Sequence, residues 1–137
     1  IKSMKNRDLG LLILRLTIGL LMIPHGLHKV IHPIAFRFIK ETVEAKGLPI
    51  FIAYGVFIGE IVAPLLVVLG YRARIAAFVM FLNGLATLYL AYSNKLIVLT
   101  EHGDWSPELS ALFFLGALAL FFTGAGKYSL SHRNTWD

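Results

Sequence analysis

Four long apolar runs, separated by short polar stretches, set the organisation of this chain. The first extends from Leu9 to about Ile31, and its 23 residues would form a helix of roughly 34 Å, enough for a hydrocarbon core of ~30 Å. The second runs from about Leu48 to Leu69, the third from about Ala73 to Tyr92, and the fourth from Pro107 to about Thr123. Between the first two, Ile34 to Gly47 mixes Ile, Phe and Val with Arg37, Lys40, Glu41, Glu44 and Lys46. That stretch is too charged to span. Its pattern predicts a short amphipathic helix, either lying along the membrane interface or capping the end of the bundle. The expected fold is all-α: an integral membrane four-helix bundle with a short interfacial helix between spans one and two, forming one domain over residues 1–137.

Breakers refine these boundaries. Pro24 cannot donate to the carbonyl of Leu20, which predicts a kink, and Pro33 ends or turns the first helix. Pro49 suits the first turn of span two. Gly55, Gly59 and Ala63 follow a small-xxx-small spacing that lets a neighbouring helix approach. Gly70-Tyr71-Arg72-Ala73-Arg74 reads as a tight basic turn, and Thr123 to Gly126 ends span four ahead of a polar tail.

Composition strengthens the membrane reading. The chain is 57% hydrophobic and only 15% charged, with a mean hydropathy of +0.72, whereas soluble domains are about 45–50% apolar and about 25% charged. The net charge is +5, but the basic residues are spread over termini and loops and make no stripe with interleaved aromatics, which argues against nucleic acid as a partner. The chain has no cysteine, so it forms no disulfide, thiol relay, Fe–S ligation or Cys-based zinc site of its own. The first apolar run is too long for a signal-peptide core and reads as a retained span. The chain begins with Ile1, which places its native start upstream or at Met4.

Four spans put both termini on one side. Lys2, Lys5, Arg7, Arg72, Arg74, Lys127 and Arg133 lie there, against Lys29, Arg37, Lys40, Lys46 and Lys95 opposite. This bias places both termini in the cytoplasm. Tyr54, Tyr89, Tyr92, Trp105 and Tyr128 fall near span ends, as interfacial aromatics do. The pairs Phe113-Phe114 and Phe121-Phe122 read as lipid-facing or packing residues.

The polar residues inside the spans are the candidate chemistry, because ionisable groups at bilayer depth usually face a bundle interior or a cavity. Counting depth at ~1.5 Å per residue puts Arg15, Glu60 and Asn83 near a common level. It predicts an Arg15–Glu60 ion pair with Asn83 beside it, readable as a ligand site or as a structural pair that fixes helix register. A second layer lies farther out. His25, Lys29 and His32 fall within about 60° on one helical stripe, flanked by His28, with Glu108 at the start of span four. His25-x2-His28-x3-His32 has a spacing compatible with metal ligation, but no native metal site is assigned. The histidines could instead relay protons, His32 could be purely interfacial, and Lys29 could snorkel to the interface.

The opening LGLLILRLTIGLLMIPHGLHKV, the Gly59-Glu60 pair, the LGYRARIAA turn and the closing TGAGKYSL together resemble the DoxX family of small four-span membrane proteins. The resemblance runs from about Leu9 to Leu130. Ala125 stands where the family commonly has Pro in its closing Gly-Pro-Gly. Membership implies a four-helix bundle in the bacterial inner membrane, and a redox role for those relatives that are subunits of membrane oxidoreductases such as thiosulfate:quinone oxidoreductase. Carried over by position, the family's candidates are Arg15, His25, Lys29 and Glu60.

The resulting expectation is a redox-associated membrane subunit that binds quinone or a similar lipophilic carrier within the bundle. His25, Glu60 and Glu108 would handle protons, while Arg15, His28, Lys29 and Asn83 would bind the carrier. No flavin, haem or Fe–S motif is visible, so electrons would come through a partner subunit or a bound cofactor. Besides the lipid bilayer, the expected partners are another protein subunit or further copies of the chain. The alternatives are a non-enzymatic transporter or binding scaffold for a small anion or lipophile, and a membrane anchor for a soluble oxidoreductase.

Overall fold

A computed structural model describes residues 6–137; Met4, Lys2 and Lys5, used above for the chain start and the charge bias, lie outside the described residues. The first helix, α1 (Arg7–Ile31), begins where the Asn6 side chain accepts from the Leu9 N–H at 3.0 Å. Asp8 sits in its first turn and His28 and Lys29 in its last, each matching the nearby end of the helix dipole. The helix continues through Pro24. It stops at His32, whose extended backbone lets Pro33 open α2 (Pro33–Ala45) at a position where a missing N–H costs nothing.

Helix α2 packs one face on the bundle and leaves the other exposed. Phe36 lies against Tyr54 and Phe57, with ring centroids 5.1 and 4.8 Å away, and Val43 is fully buried. Ile34 and Phe38 on the other side stay exposed. The third helix, α3 (Phe51–Leu69), starts two residues after Pro49, which lies in the turn before it rather than in its first turn. Its middle, Ile58–Val62, is π-helical, with the Ala63 N–H bonding back to the Ile58 carbonyl. Pro64 accounts for this: it has no N–H for the Glu60 carbonyl, and its ring crowds that oxygen, so the turn widens.

Helix α4 (Ala73–Tyr92) and helix α5 (Glu108–Thr123) complete the bundle. α1 packs on α3, α3 on α4, α4 on α5, and α5 back on α1. The core between them is formed by Ile18, Ala63, Val67, Ala77, Met80, Phe113, Ala117 and Leu120. The outer flanks carry exposed Ile13, Leu20, Ile58, Leu65, Leu82, Leu112 and Phe122, apolar surface that fits contact with lipid. Phe113 and Phe114 therefore pack inside while Phe122 faces out. Three helices, α1, α3 and α4, are long and apolar enough to cross a membrane; α5 is apolar but shorter.

At the end of the bundle holding the termini, α3 closes with a pair of bonds from Gly70 N–H to the Val67 carbonyl and Tyr71 N–H to the Leu66 carbonyl. Gly70 has φ +73° there, a left-handed conformation suited to glycine. The polar tail is folded against this end. Leu130 and Ser131 N–H groups bond to the Leu69 and Gly70 carbonyls, and Arg74 donates to the Phe121 and Thr135 carbonyls. Arg72 pairs with the buried Asp137 at 3.2 Å.

Candidate functional site

The expected Arg15–Glu60 pair does not form. Arg15 is 1% exposed and spends its guanidinium on four carbonyls: Nε donates to Val67 at 3.0 Å, Nη2 to Val68 at 3.0 Å, and Nη1 to Ala125 at 3.1 Å and Tyr128 at 2.7 Å. The last carbonyls of a helix have no intrahelical donor, so Arg15 satisfies the end of α3 and ties the tail to it. The register between α1 and α3 explains the correction. Gly19 lies against Pro64 and Val68, and Gly26 against Glu60 and Ile61. Glu60 therefore sits opposite Gly26, eleven residues along α1 from Arg15, an axial offset of about 16 Å.

Glu60 pairs instead with Lys29, whose Nζ lies 2.5 Å from the carboxylate Oε2. Glu60 is 5% exposed. Lys29 turns inward to meet it rather than snorkelling outward, since an isolated carboxylate at this depth would have no counter-charge. Two glycines bring the backbones close enough. A Cβ on Gly26 would fall 3.0 Å from both the Cβ and the carbonyl oxygen of Glu60, and one on Gly59 would fall 2.5 Å from the Asn83 side chain. The Gly59-Glu60 sequence thus puts a carboxylate and a close helix approach on consecutive residues of the π-helical turn.

Two cavities adjoin the pair, Lys29 lining both and Glu60 the smaller. The smaller, of about 200 Å³, is a polar chamber lined by His25, Lys29, Glu60, Asn83, Thr87 and Ser110 with Met22, Met80, Phe113 and Phe114. The larger, of about 450 Å³, lies beneath α2 and is almost wholly apolar, with Ile34, Phe38, Ile39, Ile52, Val56 and Leu90 among its walls. Lys29, Asn83, Thr87 and Tyr92 line both. The arrangement is an amphiphilic site, with hydrogen-bonding groups and one ion pair at one end and a greasy recess at the other.

The remaining candidates divide around this site. His25 lines the polar chamber on its exposed side, its ring edge-on to Phe113 at 5.7 Å. His28 and His32 stack on each other at 4.1 Å on the outside of the bundle, so the three histidines do not converge and His28 does not reach either cavity. Glu108 is exposed in the first turn of α5 and lines neither cavity. Ser110, one turn before Phe113 and Phe114 on the same face, takes the place expected of it. Thr87 is a further lining residue, and its spacing four residues after Asn83 places both on one helical face; its hydroxyl donates to the Asn83 carbonyl at 3.0 Å.

A family model for DoxX matches residues 10–93. The chain belongs to the DoxX family. The match runs from α1 through α4 and so contains Arg15, the Lys29–Glu60 pair and Asn83; the closing TGAGKYSL segment lies beyond it. No curated protein and no solved structure matches the sequence. Within this DoxX chain, the His25-Gly26 and Gly59-Glu60 dipeptides that carried the resemblance meet at one place, the polar chamber.

Proposed function

We propose that this DoxX-family chain is a redox-associated membrane subunit that binds a quinone or similar lipophilic carrier between its helices. The observation that carries the reading is that the apolar cavity under α2 shares Lys29, Asn83, Thr87 and Tyr92 as walls with the chamber holding the Lys29–Glu60 pair. Lipophilic carriers need an apolar recess with a few placed polar groups at one end, and the residues present fit that requirement. A bound quinone would supply two-electron, two-proton carrier chemistry. The Lys29 ammonium and the Asn83 amide, which line both cavities, would donate to a carbonyl oxygen of the carrier. Glu60 balances the Lys29 charge and, as a carboxylate, would take up a proton when Lys29 gives one to the reduced carrier, while His25, on the exposed side of the chamber, would exchange protons with the surroundings. Arg15 holds the far end of the bundle and takes no part in binding, and His28 and Glu108 are left out of the site.

The same reading places the protein in the bacterial inner membrane as a single four-span domain with both termini cytoplasmic. Helix α5, about 24 Å long, would form the fourth span. Electrons would come through a partner subunit or a bound cofactor, since the sequence carries no flavin, haem or Fe–S motif.

The test is to purify the chain in mild detergent, search the extract for quinone by mass spectrometry, and measure thermal stability with added quinone. Co-purification, or stabilisation that Asn83→Ala abolishes, is expected. A chain that carries no quinone and is not stabilised by it sinks the proposal.

A further inference from the structure

A third cavity opens on the outer side of the same pair. It measures about 470 Å³ and lies where α1 gives way to α2, lined by Lys29, Pro33, Phe36, Arg37, Lys40 and Phe57. Three cations border it, and no carboxylate does. Lys29 already holds Glu60. Arg37 and Lys40 form no ion pair among the described residues, although Glu41 and Glu44 stand one helical turn further along α2. Lys40 is held in place by aromatic rings instead, its Nζ 4.8 Å from the Phe36 centroid and 5.2 Å from that of Tyr54. Pro33 opens α2 at the same mouth, so the positive end of the helix dipole adds to the field. Val30 in the cleft wall and the neighbouring Ile31 expose apolar side chains.

We propose that this cleft binds the phosphate of an anionic phospholipid, with Arg37 and Lys40 as the ligating cations and Val30 and Ile31 against the acyl chains. Unpaired basic groups next to exposed aliphatic surface, at the end of a helix able to cross a membrane, match an anionic lipid headgroup in both charge and phase. A free phosphate would use the cations but gain nothing from the aliphatic border. The inference stands independently of the quinone reading, since Lys29 keeps Glu60 as its partner and is left intact in the test.

The whole chain, delipidated in neutral detergent, is titrated with short-chain phosphatidylglycerol, phosphatidylcholine and inorganic phosphate while thermal stability is followed. Phosphatidylglycerol should stabilise, and the other two should not. Arg37→Gln with Lys40→Gln should weaken the phosphatidylglycerol response about thirtyfold. Arg37→Gln alone, used should the double variant fail to fold, should weaken it about fivefold. Lys95→Gln, which removes an exposed charge outside the cleft, should leave it unchanged. Equal responses to the two lipids, an equal response to inorganic phosphate, an undiminished response in the Arg37 variants, or an equal loss in Lys95→Gln would each overturn the proposal.

Discussion

Lys29 reaches from the last turn of α1 to within 2.5 Å of the Glu60 carboxylate, which sits on the one π-helical turn of α3. The contact joins a helix end to a helix middle, and Lys29 lines both cavities of the candidate site. Its partners are mostly buried, with side chains 21% and 7% exposed, so removing either one strands the other charge.

Glu60→Gln and Lys29→Met should each destabilise the bundle by about 3 kcal/mol, and the double variant should lose less than the sum, with a coupling of about 1–3 kcal/mol. Pairing Glu60→Gln with Arg15→Leu should instead give additive losses within about 0.5 kcal/mol. Thermal or denaturant unfolding in detergent reads both cycles. Coupling of Glu60 to Arg15 but not to Lys29 would reverse the assignment of partners.

Arg15→Lys should behave as a severe change. A lysine ammonium cannot reproduce the fork that meets four carbonyls on two segments. The expected loss is about 3 kcal/mol, accompanied by protease sensitivity of the segment after Thr123. Ligand binding in the surviving folded fraction should be unaltered, because Arg15 lines neither cavity of the site.

Gly55→Ala and Gly59→Ala should separate cleanly. A Cβ on Gly55 meets open space, whereas one on Gly59 would collide with Asn83 at 2.5 Å. The first substitution should be neutral or stabilise by about 0.5–1 kcal/mol. The second should cost about 1–3 kcal/mol and displace the Asn83 amide, which a loss of quinone-dependent stabilisation would report.

The docked tail should be insensitive to pH until strongly acid conditions. Burial pushes the Asp137 carboxyl upward, but hydrogen bonds from the Ser131 hydroxyl, the Asn134 N–H and Arg72 outweigh it and hold the group below its ordinary value. A depressed folded-state value means the contribution is present above the unfolded value and disappears as pH falls through the folded one. Protection of the 125–137 amides against exchange should therefore hold from neutral pH to the ordinary carboxylate value and fall as the pH drops below it. Asp137→Asn should remove that acid step.

The helices were legible in the sequence because an apolar run long enough to cross lipid has one way to satisfy its backbone. The runs ending at Ile31, Leu69, Tyr92 and Thr123 end as helices at those residues. Lys29, Glu60, Asn83 and His25 could also be singled out, since polar groups in such runs stand out against their neighbours. What pairs with what could not be read. Depth was counted from the ends of the apolar runs, which treats each helix as starting at the same plane. The steric fit of Gly19 against Val68 and of Gly26 against Glu60 sets a different register, and it separates Arg15 from Glu60 by about three turns. Sequence alone thus determined the helices and the polar residues available to a site. Only the packing of α1 on α3 decided that Arg15 would hold carbonyls at one end while Lys29 met Glu60 beside the cavities, because close contact between helices depends on side chains far apart in the chain.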